Sequence, residues 1–132
     1  MFTVRQQNNR LLLRARDAID RDFMHPLDTA YLARVAVCSP AHFIRTFRDA
    51  FGETPHRYLQ RRRVERAMSL LRGTDLSVGE VCVEVGFASV PTFSRVFREI
   101  AGESPSAYRR RGPLPPLPVC WEKAWLRPSS FG

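Results

Sequence analysis

The chain repeats itself, and this repeat limits the folds that it can form. A shift of 50 residues brings identical residues together at Ser39 and Ser89, Phe43 and Phe93, Arg45 and Arg95, Phe47 and Phe97, Arg48 and Arg98, Gly52 and Gly102, Glu53 and Glu103, Pro55 and Pro105, and Tyr58 and Tyr108. Upstream of the two serines the shift becomes 49, so the second copy holds one extra residue before Ser89. A chain of 132 residues has room for one ordinary core or two small ones. We therefore expect two similar small units.

Each copy has the pattern of a short helix, a tight turn and a longer helix. Asp28 and Ser77 are suitable N-caps for the short helices, and Glu80 completes a capping box with Ser77. Ser39 and Ser89 are placed to cap the longer helices. The apolar stripe of these helices is formed by Phe43, Phe47 and Phe51 in one copy and by Phe93, Phe97 and Ile100 or Ala101 in the other. Gly52 and Gly102 follow where left-handed caps are expected.

The rest of the chain predicts further helices and no strands, so the fold class is all-α. We expect an N-terminal helix over roughly 9–23, a linker helix over 54–71, and a short helix ending near Arg110. The predicted organisation has a first helix-turn-helix unit with its N-terminal helix at 9–53, a linker helix at 54–72, a second unit at 73–111 and a Pro-rich tail at 112–132. The tail has the composition of an extended or disordered segment, although Trp121 and Trp125 leave docking on the body open.

The charge of the chain favours polyanionic partners. The net charge is +8 and the pI is about 10.6, which indicates nucleic acid first and an anionic membrane second. Nearly all of the positive charge is arginine, which suits bidentate binding to phosphate and guanine, but a GC-rich genome would produce the same bias. The sequence has no apolar run of about 20 residues and no signal peptide, so a cytoplasmic protein without membrane contact is expected.

The second helix of a helix-turn-helix pair fits the major groove of B-DNA. The positions left outside the apolar stripe are predicted to bind DNA, and they are Pro40, Ala41, Ile44, Arg45, Arg48, Val90, Pro91, Ser94, Arg95 and Arg98. Arg45 and Arg95 occupy the same place in the repeat, where each either reads guanine or merely solvates the helix. We assign phosphate contacts to Ser39, Arg57, Arg61 and Ser89, and a structural role to Arg63 through pairing with an acidic neighbour.

These motifs resemble the DNA-binding domain of the AraC/XylS family of transcription regulators. The similarity runs from about Leu11 to Arg110, and its strongest signature consists of residues 85–89, 93–98 and 102–109. The resemblance implies seven helices, two recognition helices in adjacent major grooves, and activation or repression through contact with RNA polymerase. Many members carry an effector-binding domain before this module. This sequence shows none, so we expect either a small stand-alone member or a fragment of a longer regulator.

The first unit departs from the family pattern in its turn. Val37 occupies the position that often holds glycine, and Cys38 stands where the second copy has Phe87. A β-branched residue is costly at positive φ. We therefore expect the first turn to differ in geometry or the first unit to bind less tightly.

Other functions have weaker support in the sequence. The histidines and the three cysteines lack metal-ligand spacing, and the chain has no nucleotide-binding or hydrolase motif, so we expect no metal, no cofactor and no enzyme activity. The main alternative is an anti-activator that binds RNA polymerase or another regulator without reading DNA. Because the exposed residues of the two units differ, we expect a monomer bound to an asymmetric site on double-stranded DNA.

Overall fold

The computed structural model describes residues 3–113, and within this range it contains helices and no strands. The helices are α1 (Val4–Asp22), α2 (Thr29–Val35), α3 (Pro40–Phe51), α4 (Pro55–Gly73), α5 (Val78–Glu84), α6 (Val90–Ala101) and α7 (Pro105–Arg109). The predicted all-α class and the seven-helix expectation are confirmed. The interpretation of the tail, including Trp121 and Trp125, lies outside the described residues.

The predicted caps start and end the helices of both units. Asp28 and Ser77 accept hydrogen bonds from the third residue of their helices, and Glu80 completes the capping box. The hydroxyls of Ser39 and Ser89 do the same for α3 and α6. Both longer helices end at glycines in the left-handed region, with φ of 82° at Gly52 and 87° at Gly102. The repeat in the sequence is therefore a repeat in structure.

The N-terminal helix starts earlier than predicted. It begins at Val4 rather than near residue 9, because Thr3 and Gln6 form a capping box ahead of it. Residues 4–10 are exposed. The apolar pattern used to predict the helix begins only at Leu11, so it does not predict these first turns. The Thr3 and Gln6 spacing was the available signal.

Two hydrophobic cores share α4. The first core is formed by α1, α2 and α3 and includes Tyr58 and Leu59 of α4. The second is formed by α5, α6 and α7 and takes Val64, Ala67 and Leu71 from the same helix. The predicted linker is thus packed into both units along its length, and its position fixes where each unit lies.

Equivalent aromatic contacts hold α3 against α4 in the first unit and α6 against α7 in the second. In the first core the rings of Phe47 and Tyr58 lie 5.8 Å apart, and in the second the rings of Phe97 and Tyr108 lie 5.7 Å apart. Both pairs meet edge to face, which is a favourable geometry for aromatic rings. Burying this stripe leaves the opposite face of α3 and of α6 towards solvent.

Candidate nucleic-acid interface

The two turns that precede the recognition helices have the same hydrogen bonds. In the first unit the amide of Val37 donates to Arg34 O and that of Cys38 to Ala33 O, each at 3.0 Å. In the second, the amides of Gly86 and Phe87 donate to the equivalent carbonyls at 3.1 and 3.0 Å. Both turns are Schellman motifs. The expectation of a different geometry in the first turn is therefore wrong, while weaker binding by that unit stays a prediction.

The outer faces of α3 and α6 present the predicted DNA-binding residues to solvent. Pro40, Ala41, Ile44, Arg45 and Arg48 are exposed on α3, and Val90, Pro91, Arg95 and Arg98 are exposed on α6, with Ser94 half-buried. The structure brings each set onto one side of its helix, next to the stripe of buried phenylalanines. Their contact with bases stays a prediction.

The serine caps lie at the N-termini of the recognition helices. The Ser39 hydroxyl accepts from the amide of His42 at 3.3 Å, and the Ser89 hydroxyl accepts from the amide of Thr92 and donates to its hydroxyl. A hydroxyl that accepts one hydrogen bond still carries a proton to donate. At Ser39 this proton and the helix N-terminus suit a phosphate, whereas at Ser89 the proton is directed to Thr92.

The two arginines assigned to phosphates have different surroundings. Arg61 donates to Glu53 at 2.9 Å and to Glu65 at 2.7 Å, and its side chain is only 20% exposed. This arrangement favours a structural role over the predicted phosphate contact. Arg57 lies 3.4 Å from Glu99 and is 40% exposed, and exposed pairs of this kind contribute about 0–1 kcal/mol. A phosphate can therefore compete for Arg57.

Glu99 also binds the candidate base-reading residue of α6. Arg95 donates to Glu99 Oε1 at 3.1 Å, and the Arg95 side chain is 63% exposed. The carboxylate thus lies between Arg57 and Arg95. Both pairs are exposed and therefore weak, so another anion can compete with Glu99 for either guanidinium.

Arg63 is bound within the protein, as a structural role requires, but its partners are backbone carbonyls and not the predicted acidic side chain. Its Nε donates to Phe23 O at 2.6 Å and one terminal nitrogen donates to His25 O at 3.0 Å. The guanidinium carbon lies 5.8 Å from the centre of the Phe87 ring. Burial lowers the pKa of Arg63, although a guanidinium remains charged in proteins. The predicted acidic neighbour is wrong, because two backbone carbonyls past the end of α1 take its place.

The described part of the chain shows neither a metal-binding cluster nor a membrane-spanning helix. Among residues 3–113, no group of three or more His, Cys, Asp or Glu side chains is placed to bind a metal. The helices between residues 3 and 113 are each too short or too polar to span a bilayer. Cys38 is half-buried and Cys82 is buried, and burial raises the pKa of both thiols. These two thiols are therefore protonated at neutral pH.

Comparison with known proteins agrees with this geometry. The family model of a helix-turn-helix domain matches residues 32–111. The regulatory protein SoxS of Salmonella typhimurium is 33% identical over 93 residues, which cover 70% of this chain and 87% of SoxS. The chain belongs to the AraC family of helix-turn-helix, DNA-binding transcription regulators. The matched residues 32–111 begin within α2 and include α3, the whole of α4 and the second unit.

Longer regulators contain a similar segment. The bifunctional transcriptional activator and DNA repair enzyme AdaA of Bacillus subtilis is 34% identical over 92 residues, 70% of this chain but only 44% of AdaA. The chain therefore spans less than half of that relative.

Solved structures of AraC-type domains have the same fold. The C-terminal domain of AraT, a response regulator from Geobacillus stearothermophilus, aligns with a TM-score of 0.74 at 28% identity, covering 82% of this chain and 90% of AraT's domain. The DNA-binding domain of the global transcriptional factor AdpA, solved in complex with a target DNA, aligns with a TM-score of 0.71 at 34% identity, covering 76% and 90%.

Proposed function

We propose that this AraC-family chain binds double-stranded DNA in a sequence-specific manner, with α3 and α6 in successive major grooves. The observation that carries the proposal is the equivalence of the two helices. Each follows the same turn, buries the same phenylalanine stripe and presents exposed arginines at the same positions. The similarity to the AdpA domain, which was solved with its target DNA, supports DNA binding by this fold.

One copy of the chain is proposed to bind an asymmetric site. The outer face of α3 offers Ala41 and Ile44 where that of α6 offers Pro91 and Ser94. Since different side chains prefer different base edges, the two helices should read two different sequences. A symmetric dimer would instead require a palindrome.

We infer further that the bound chain regulates transcription by contacting RNA polymerase. The activator function in the name of AdaA supports such a contact, and the repair activity in that name is not carried over to this segment. We propose no catalytic activity for the chain. A regulator that acts on bacterial DNA works in the cytoplasm, which is the proposed location.

The test is selection of bound duplexes from a random-sequence library, followed by mobility shifts at several salt concentrations. Two different boxes on one face of the duplex are expected. If about six phosphates are neutralised, log K should fall with log[salt] with a slope of about −5. An enriched pool without a common sequence and a flat salt response would instead favour the anti-activator alternative.

A further inference from the structure

The two units touch each other beside α4, at a junction formed by the loop 23–25, Arg63 and the turn at Gly86 and Phe87. Arg63 donates to the carbonyls of Phe23 and His25 in the first unit. The same guanidinium lies over the Phe87 ring in the second unit. A single side chain on α4 therefore contacts both units.

The backbones of the two units also meet directly at this junction. A Cβ atom added at Gly86 would lie 2.9 Å from Met24 O and 3.2 Å from Arg63 Nε. Real Cβ atoms essentially never approach a carbonyl oxygen so closely, and the φ of 95° at Gly86 is itself unfavourable for other residues. Glycine thus lets the loop of the first unit pack against the turn of the second.

The junction lies next to the segments that position the two recognition helices, α3 and α6. Phe87 lies two residues before Ser89, the N-cap of α6, so a constraint on this turn also constrains the start of α6. On the other side, loop 23–25 connects α1 to α2, which both pack in the core that holds α3. The junction lies beside α4 rather than on its axis, so it resists a twist or bend between the units that a single shared helix permits.

We propose that Arg63 is a positioning residue that fixes the angle between α3 and α6, so that one chain reaches two DNA boxes at once. The proposal rests on the two-groove binding proposed above. Arg63 reaches the two carbonyls with different nitrogens, and the fixed planar fork of a guanidinium holds both at a defined separation. It acts through the packing of the two units and not by touching DNA.

The first test measures orientation without DNA. Residual dipolar couplings are recorded for backbone amides of the full 132-residue chain, and alignment tensors are fitted separately to the helices of the two units. In the wild type the two tensors should coincide. In Arg63→Gln they should differ in orientation or in degree of order. The matched control is Arg66→Gln, which removes the same charge from an exposed position of α4 and should leave the tensors equal.

The second test compares two duplexes that derive from the site selected by the wild type. One keeps both boxes, and in the other the second box is replaced by unselected sequence. Joining two binding units raises affinity only when their geometry allows simultaneous binding. Arg63→Gln should therefore reduce the preference for the two-box duplex by about tenfold or more, with single-box affinity unchanged within about twofold. Arg66→Gln should keep the wild-type preference.

Arg63→Lys serves as the conservative variant, and it decides the matter if Arg63→Gln fails to fold. An ammonium group can reach one carbonyl but cannot hold both in a planar fork, so an intermediate loss of the two-box preference is expected. Equal losses on both duplexes with coincident tensors would overturn the proposal, as would a lysine variant identical to the wild type in both measurements. If the wild type selects no two-box site, the proposed function fails, and the tensors still decide the role of Arg63.

Discussion

Val37 and Gly86 occupy the same position in the two helix-turn-helix units, and both have a positive φ, 55° for Val37 and 95° for Gly86. The second residue is glycine for two reasons, conformation and the close approach of Met24 O. At Val37 only the conformational reason applies, because the side chain is 74% exposed and has open space around it. The valine is therefore accommodated in the native turn, with backbone strain as its consequence.

Replacing Val37 by glycine should relieve this strain. A left-handed conformation costs a residue with a Cβ roughly 1–2 kcal/mol, while the added flexibility of glycine in the unfolded chain offsets roughly 0.5–1 kcal/mol. Val37→Gly should therefore leave the free energy of unfolding unchanged or raise it by up to about 1.5 kcal/mol. The matched control is Val83→Gly, an equally exposed valine in a helix, which should lose roughly 0.5 kcal/mol from the lower helix propensity of glycine. Urea denaturation of both variants measures the difference, and equal losses would contradict the strain.

Gly86 has two reasons to be glycine, a positive φ and the close approach of Met24 O, and a comparison with Gly52 separates them. Both have positive φ, but a Cβ atom at Gly52 would meet no atom within 4 Å. Gly52→Ala should thus lower the free energy of unfolding by about 1 kcal/mol, and Gly86→Ala by about 2 kcal/mol or more, since the backbone of Met24 must move as well. Thermal denaturation of the two variants tests this, and similar losses would mean that the loop yields easily.

Tyr58 belongs to a polar network between α1 and α4. Its hydroxyl donates to Asp20 Oδ1 at 2.6 Å, and the Arg62 side chain lies 3.1 Å from the same oxygen. Burial raises the pKa of Tyr58 above its ordinary value of 10.0, and the hydrogen bond to Asp20 raises it further. Since the folded state holds the phenolic proton more tightly, this contribution is complete below pH 10 and is lost as the pH rises through the higher folded-state pKa.

Tyr58→Phe should consequently change both the stability and its pH dependence. At pH 7 we expect a loss of roughly 1–2 kcal/mol for the hydrogen bond, and the gap from the wild type should shrink above pH 10. Tyr108→Phe, at the equivalent position of the second unit, should lose less at pH 7, because the Tyr108 hydroxyl has no acidic partner among the described residues. Urea denaturation between pH 7 and about 11 is the measurement. A gap that stays constant with pH would refute this account.

Local patterns predicted the fold well, and contacts between distant segments account for what they missed. The caps at Ser39 and Ser77 depend on residues only three positions away, so the sequence alone defined these helix starts. The partners of Arg63 lie in a loop before α2, roughly 40 positions earlier in the chain, and no helical spacing identifies a backbone carbonyl as a partner. The charge of Arg61 favours a phosphate contact from sequence alone, whereas in the structure its guanidinium is mostly buried and is paired with Glu53 and Glu65.

The candidate base-reading arginines can be tested by substitution. Arg95→Ala should weaken binding to the selected site by roughly 1–3 kcal/mol and relax the preference at one base pair. Arg45→Ala should act alike at another position, with a smaller effect if the first unit binds less tightly. Arg66→Ala, which removes an exposed charge from α4, should leave the sequence preference intact. Competition binding with target and random duplexes is the measurement, and equal weakening on both would exclude a base-reading role.

Simultaneous binding of α3 and α6 in successive grooves is the central claim, and the spacing of the two boxes tests it most directly. The 19 residues of α4 span about 28 Å, which with the packing at each end suits recognition helices about one DNA turn, or 34 Å, apart. In mobility shifts at fixed salt, inserting about five base pairs turns one box by half a turn, so affinity should fall to the single-box level. Inserting about ten should not restore it, because two units packed on one helix cannot move apart by a further 34 Å. Unchanged affinity with the five-pair insertion would contradict the account, since it would mean that one unit alone reads the DNA or that the units are flexibly joined.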